Sequence, residues 1–349
     1  MKVNPDLGDI APVIMRSESG PVKEMLSVGR NASGQINKVR INFSSLDIIQ
    51  TCPRKAQYLL REGYIGRAES PALTFGTAIH KALEIFYAYS PKERELPTNF
   101  AKHAELIPAG ITPPEKHFIY DALTEFCNKA APLTMLPDSD KRSIANGVWI
   151  LTHYFKSYIN DEYEVYRDDQ GPVTERPFTL PISTSNPGGI LIELHGQIDV
   201  VLRNTKTGTI LPADHKTSSI VGPDFYNRLK PNHQYTGYLL GAREVLGLDT
   251  DSFLVNCIQV KPKPVTSRGQ PPHFPRQVTK RTAEDFQEFY DVLAEAVTNY
   301  MQWDATGIWP LGPVNACTHY GGCQFLDVCA APKSLRENML NVKFMKGNS

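Results

Sequence analysis

The stretch Leu191–Thr217, LIELHGQIDVVLRNTKTGTILPADHKT, constrains the fold more than any other part of the chain. In its first half Ile192, Leu194, Ile198, Val200 and Leu202 fall on one side of an extended strand. Glu193, His195, Gln197 and Asp199 fall on the other. Such alternation is the mark of a half-buried strand. A turn-rich segment, Arg203–Gly208, then leads to a second strand that ends in Asp214-His215-Lys216. Side chains alternate along a strand, so Asp214 and Lys216 share a face. Two acidic residues and a lysine on adjacent strands form a candidate site for metal-dependent phosphodiester cleavage.

Composition narrows the class. The 349 residues suffice for one large domain or two modest ones, and an apolar fraction of 41 % suits a globular core. No apolar run approaches the roughly 20 residues needed to span a bilayer, so no membrane association is expected. The start, MKVNPDLGDIAPVIM, lacks a basic region followed by an apolar one, and a cytoplasmic location is expected, in the host cytoplasm if the chain is phage-encoded. The 37 basic and 37 acidic residues cancel, so nucleic-acid binding has to come from local patches. One runs from Ser252 to Ala283, which holds Lys261, Lys263, Arg268, Arg276, Lys280 and Arg281 and no acidic residue. A solvated loop with flanking strands is the plainer reading of it. Arg54, Lys55, Arg61 and Arg67 make a second basic region.

Taken in order, residues 1–40 lack periodicity and are expected to form an irregular arm. Ser44 with Asp47 resembles a capping box and starts a helix, and Pro53 suits the first turn of its continuation. Phe75–Tyr89 has helical core spacing at Ile79, Leu83 and Phe86, with His80 and Glu84 on one face. A histidine there is ordinarily a partly buried one bonded to a neighbour. Pro114–Ala131 and Lys141–Asn160 read as two more helices, with Cys127 in the first core stripe. Strand character follows in EYEVY and PFTLPI. After the central hairpin come a helix opened at Pro231, a β-rich run Ser252–Val260 with Cys257 inside it, a short strand near Phe274–Thr279 and a long helix Thr282–Trp303. The tail Lys333–Ser349 is basic and is expected to be partly disordered.

The site residues suit hard-cation chemistry. Asp199 and Asp214 offer the oxygen ligands that Mg²⁺ or Mn²⁺ wants. The His215 main-chain carbonyl is a further candidate ligand. Lys216 is a compact charge able to orient a water or stabilise a developing anion. An Asp-x-Lys triplet alone is weak, and a surface salt bridge on an edge strand is its plainer reading, which Pro212 favours. The order of motifs is more specific: Gly76-x-x-x-His80, Gly196-x-x-Asp199, Asp214-x-Lys216, then Gln234-x-x-x-Tyr238.

This ordered set resembles the RecB-type branch of the PD-(D/E)XK nuclease superfamily, from about Ser44 to Pro332. The resemblance implies an α/β (α+β) fold with a restriction-endonuclease-like core, a mixed β-sheet flanked by helices. It implies a nuclease domain over residues 41–332 with a helical insertion at about 113–160, between the arm and a basic tail at 333–349. It implies metal binding by His80, Asp199, Asp214 and the His215 carbonyl, with Asp199, Asp214, Lys216, Gln234 and Tyr238 catalytic, and Glu84 extends the match.

Cys52, Cys317, Cys323 and Cys329 can hold a [4Fe–4S] cluster or a structural Zn²⁺, and ligand chemistry alone leaves both open. One distant cysteine followed by three C-terminal ones resembles the iron–sulfur nucleases of the superfamily, including helicase–nuclease subunits and the CRISPR-adaptation exonuclease, where the cluster clasps the chain ends. Here five residues separate Cys317 from Cys323 where the family often has two, so His319 or a three-cysteine site stands as the alternative. The expected activity is a metal-dependent DNA exonuclease with a structural iron–sulfur cluster, acting in recombination, repair or processing on DNA with a single-stranded end. Arg54, Lys55, Lys261, Lys263 and Arg268 are candidate phosphate contacts, and recombination or CRISPR-adaptation proteins are candidate partners. A non-catalytic DNA-binding module and a structure-specific endonuclease are the alternatives.

Overall fold

The structure is a computed structural model that describes residues 14–15, 23–67, 70–182, 189–264, 269–318 and 322–347. The principal elements run in order as follows. Strands β1 (Leu26–Arg30) and β2 (Ile36–Ile41) precede helices α1 (Phe43–Thr51) and α2 (Pro53–Ala56) and the short strand β3 (Tyr64–Gly66). Helices α3 (Pro71–Ala88), α4 (Phe118–Lys129) and α5 (Ile144–Tyr158) come next. Then follow β4 (Tyr163–Val165), β5 (Thr174–Ile182), β6 (Leu191–Asn204), β7 (Ile210–Ser218), α6 (His233–Glu244), β8 (Ser252–Gln259) and β9 (Arg276–Lys280). The chain closes with α7 (Ala283–Thr306), α8 (Val314–Thr318), α9 (Leu326–Ala330), α10 (Lys333–Lys343) and β10 (Phe344–Lys346). Two compact units divide these elements.

The unit of residues 70–177 and 197–282 contains the site hairpin. Its strands pair in the order β9, β8, β7, β6; β7 and β8 are parallel and the other two pairs antiparallel, a mixed sheet. On one face Val200, Leu202, Leu211, Ala213, Leu254 and Ile258 join a single apolar core with α3, α4 and α5. The other face is covered by α6, whose Tyr235 stacks on Phe253 with ring centroids 4.9 Å apart. The expected sheet flanked by helices is what the chain forms. Gly76 has a structural reason: a Cβ there would lie 3.3 Å from Thr217 Oγ1, so glycine lets α3 approach β7. Pro212 also finds its explanation. It pairs with Val201 of β6, but the ladder to β8 begins only at Ala213, so its missing N–H costs nothing on that side.

The second unit comprises the chain through residue 69, residues 178–196 and residues 283–349. The irregular arm expected through residue 40 is corrected over residues 26–40, while residues 1–13 and 16–22 of it lie outside the described residues. β1 and β2 form an antiparallel hairpin, and β2 runs parallel to Leu191–Leu194 of β6. The turn between them, Asn31–Gly34, uses Gly34 at φ +80°, a conformation that glycine adopts without steric cost. Helix α1 is capped by Asn42, whose side chain accepts from Ser45 N, and not by Ser44. The tail is ordered as α10 and β10 through residue 347, where β10 pairs with β3. Phe325 packs between Tyr58 and Phe344, at 5.3 and 4.7 Å.

Candidate active site

All the residues of the site described here lie in the unit that holds β7. The alternation of β6 and the antiparallel register Val200↔Ala213 put Asp199 beside Asp214 on one face. Helix α3 brings His80, whose Nδ1 stands 3.2 Å from Asp199 Oδ2. The His215 amide points at the same oxygen, 3.4 Å away. Lys216 Nζ is 2.6 Å from Asp214 Oδ2 and donates to Gln234 Oε1 at 3.1 Å. Gln234, in the first turn of α6, donates in turn to the Tyr238 hydroxyl at 2.8 Å. The α6 N-terminus is fixed by Asn232, which accepts from Gln234 N at 2.9 Å. His80, Asp199, Asp214, Lys216, Gln234 and Tyr238, spread over 159 positions of sequence, thus form one connected constellation.

Electrostatics mark it as unusual. Burial pushes Asp214 up to about 7; Lys216 opposes that rise and the Asp199 charge adds to it. Burial works the same way on Asp199, but His80, Asp214 and Lys216 outweigh it and hold the carboxyl well below the ordinary range. Burial disfavours charge on His80 and on Lys216, yet their carboxylate partners raise both. Burial drives the His215 imidazole down to about 3, so that ring is neutral. Two carboxylates forced together in a desolvated pocket repel each other unless a proton or a cation lies between them.

One residue escaped the sequence reading. Glu175, on β5, places a carboxylate oxygen beside a ring nitrogen of His80 and a carboxylate oxygen of Asp199, so that all three candidate ligand atoms lie within 4.8 Å of one another. Gln197 Nε2 donates to the Glu175 carbonyl at 3.1 Å and also to its carboxylate. Glu175 has φ +47°, one of two non-glycine residues with positive φ among the described residues. Such a backbone costs on the order of 1–3 kcal/mol and tends to mark functional sites. The sequence carries no spacing signal for it. The donor set, carboxylates and one imidazole with partly buried walls, fits a divalent cation.

Other expectations fare differently. Glu84 is turned to Lys81 at 2.7 Å and stands apart from that metal-ligand group. The basic segment Ser252–Ala283 is partly internal, and Arg276 and Arg281 are corrected as surface groups. Arg281 is buried and donates to Leu229 O, Asn232 O, Thr236 and Thr279, bracing the approach to α6. Arg276 is paired with Asp161 at 2.6 Å. Lys263 is exposed and pairs with Glu105 at 3.0 Å, and Lys261 is half-buried. Arg268 and His319 lie outside the described residues. Cys127 is partly buried, with its thiol pushed up to about 11 by burial, and Cys257 is buried and pushed up to about 12; both are core thiols.

In the other unit Cys52 caps α2, its Sγ accepting from Lys55 N at 3.4 Å. Gly312 packs on it closely enough that a Cβ would meet Cys52 Sγ at 3.0 Å. Cys329 lies within electrostatic reach of Cys52 and Cys323, and of Arg54 and Arg336; burial raises its thiol while the two guanidinium groups lower it. Cys323 N donates to Cys317 O at 2.8 Å. Arg54 Nε donates to Trp309 O at 2.9 Å, and both Arg54 and Lys55 are half-buried.

The sequence matches the family model of the PD-(D/E)XK nuclease superfamily over residues 40–330. The chain belongs to the PD-(D/E)XK nuclease superfamily. No curated protein matches it. Membership makes it a metal-dependent nuclease with a nucleic-acid substrate, and the mixed sheet between helices is the superfamily's architecture. Among the described residues, no helix is long and apolar enough to cross a membrane.

Proposed function

We propose that this PD-(D/E)XK nuclease is a Mg²⁺- or Mn²⁺-dependent DNA exonuclease that carries a structural [4Fe–4S] cluster. What carries the reading is the convergence of His80, Asp199 and Asp214 beside a Lys216 that is itself tied to Gln234. His80, Asp199 and Glu175, whose ligand atoms lie together, would hold the cation, and Asp214 and the His215 carbonyl would complete its shell. A bound Mg²⁺ or Mn²⁺ supplies hydroxide at neutral pH and neutralises charge on the phosphoryl oxygens. Lys216, held cationic by Asp214, orients the attacking water and meets the developing negative charge. Gln234 fixes the Lys216 ammonium, and Tyr238 fixes Gln234. Arg54, Lys55, Lys261 and Lys263 are the described basic residues assigned to the DNA backbone.

The cysteine set fits a cluster. Cys52, Cys323 and Cys329 share one neighbourhood, a backbone N–H reaches the Cys52 sulfur, and two guanidinium groups oppose the rise that burial imposes on the Cys329 thiol. Cys317 is joined to Cys323 through the main chain. Cluster ligation from both ends of the chain serves as a clasp. Processing of DNA ends in recombination or repair, with partner proteins of such complexes, is the setting that this chemistry suits.

End-labelled and circular single-stranded DNA, each with Mg²⁺ and with Mn²⁺, test the reading. Release of labelled nucleotides from the linear substrate with the circle intact is the expected result. Cleavage of the circle would make the enzyme an endonuclease. No cleavage of either substrate, or equal cleavage by Lys216→Ala, would overturn the catalytic assignment.

A further inference from the structure

His215, Asn256 and Arg276 are register partners on β7, β8 and β9. They form one rank across three strands, on the face opposite Asp214 and Lys216. The neighbours of Asn256 on that face of β8 are Leu254 and Ile258, both in the apolar core. A polar rank inside an apolar layer is costly unless every group is bonded.

The bonding is close to complete. The Asn256 amide donates to His215 Nδ1 at 2.8 Å and to the Tyr154 hydroxyl at 2.6 Å. Its oxygen accepts from Arg276 Nε at 3.4 Å. Arg276 forms a two-pronged pair with Asp161, at 2.8 and 2.6 Å, and also donates to the Tyr87 hydroxyl. Tyr87 and Tyr154 share a hydrogen bond of 2.7 Å. The Tyr87 ring then stacks on His215, 5.5 Å away and 18° from parallel, while His80 meets His215 edge-on at 5.9 Å. The His215 ring is therefore held by a strand neighbour and by two side chains of α3.

Stability alone does not account for this arrangement, because apolar replacement of a buried ion pair is often neutral or stabilising. What the rank does define is register and rotation of β7: slipping by one residue would put His215 on the wrong face and break every bond in the rank. The same peptide segment carries Asp214, the His215 amide facing Asp199 and the His215 carbonyl. We infer that Asn256, Arg276, Asp161 and Tyr87 are positioning residues for the cation site, acting through the His215 side chain to fix the main chain between Asp214 and Lys216. This rests on the metal-dependent reading of the site. Outer partners that orient metal ligands are commonly worth about 10–100-fold in metal affinity.

The test is Mn²⁺ binding, read from the paramagnetic resonance of free Mn²⁺ in titrations of the full chain, beside cleavage rate against Mn²⁺ concentration. Asn256→Leu removes the link to His215, and Tyr87→Phe keeps the stacked ring but drops its hydroxyl, so one variant serves if the other fails to fold. Phe126→Leu, a core variant that packs on Phe75 and Gly147 and not on the rank, controls for lost stability. The expected result is Mn²⁺ affinity lowered about tenfold or more in the rank variants, with much of the rate recovered at saturating Mn²⁺ and affinity unchanged in the control. Unchanged affinity in the rank variants, or an equal loss in the control, would overturn the inference. Asp199→Asn separates the two levels. Mn²⁺ binding that survives Asp199→Asn sinks the site assignment itself, whereas binding lost there but kept in Asn256→Leu sinks only the positioning role.

Discussion

Lys216 donates from Nζ to Gln234 Oε1 across 3.1 Å, from a strand to the first turn of the following helix. The ammonium is thus held by two groups, Asp214 and Gln234, which fixes where its charge points. Removing the charge should cost most of the transition-state stabilisation, whereas removing the guide should cost only its aim. Lys216→Ala is expected to lower the cleavage rate by about 10²–10³-fold. Gln234→Ala, which leaves the Asp214 pair in place, is expected to cost roughly tenfold. Single-turnover rates on end-labelled DNA at saturating Mn²⁺ measure both, and equal losses in the two variants would contradict the division of roles.

Glu175 joins the candidate metal-ligand group of His80 and Asp199 from a strained backbone. Function and stability should therefore separate at this residue. Glu175→Gly removes the carboxylate and also accepts φ +47° freely. Metal affinity is expected to fall, while thermal stability of the metal-free protein rises by about 1 kcal/mol. A Glu175→Gly protein that melts lower than wild type without metal would show that the carboxylate stabilises the fold more than its backbone strains it.

The parts of this site that the sequence made legible are those whose geometry is local. Asp214 and Lys216 share a face because a strand has period two, and Gln234 and Tyr238 meet because a helix brings i and i+4 together. Glu175 was invisible for the opposite reason: it reaches the site through strand pairing and a backbone angle, and neither leaves a spacing pattern. Arg276 and Arg281 read as a basic surface because charge is ordinarily exposed, and the partner that draws Arg276 inward, Asp161, is 115 positions away. The β1–β2 hairpin did have a signal in Asn31–Gly34 between Val28 and Val39, but the surrounding polar residues masked its alternation. The Asn42 cap was hidden by the adjacent Ser44 and Ser45, equally good capping types.

Gly312 is pressed against the base of Cys52. A Cβ there would meet Cys52 Cβ and the Thr51 carbonyl oxygen at 2.9 Å each, and backbone cannot move aside cheaply. If Cys52 helps hold an iron–sulfur cluster, Gly312→Ala should act as a cysteine variant without touching a cysteine. Brown colour and visible absorbance are expected for the wild-type protein, with both reduced in Gly312→Ala and in Cys323→Ala. Stability should fall by about 1–3 kcal/mol from overpacking alone, and further where the cluster is lost, because ligation contributes to folding. Iron and sulfide analysis checks the outcome, and colourless wild-type protein with stoichiometric zinc would replace the cluster by a zinc site.

Asp304, near the end of α7, accepts from Arg30 Nη2 at 2.6 Å and is also paired with Arg61. Burial would raise its carboxyl, but the two guanidinium groups outweigh that and lower it below the ordinary carboxylate value. A depressed folded-state value means the unfolded chain takes up its proton first as pH falls. The stability that Asp304 contributes is therefore complete above the unfolded value of about 4 and is lost as pH drops through the lower folded value. Both arginines are substantially exposed, at 40 % and 51 %, so screening keeps the contribution modest. Asp304→Asn is expected to lose about 1 kcal/mol at pH 7 and low salt, and less at high salt. The difference from wild type should shrink below about pH 4. Urea unfolding of both proteins between pH 3 and 7 measures it, and a difference that stayed constant through that range would show that Asp304 acts by packing and not by its charge.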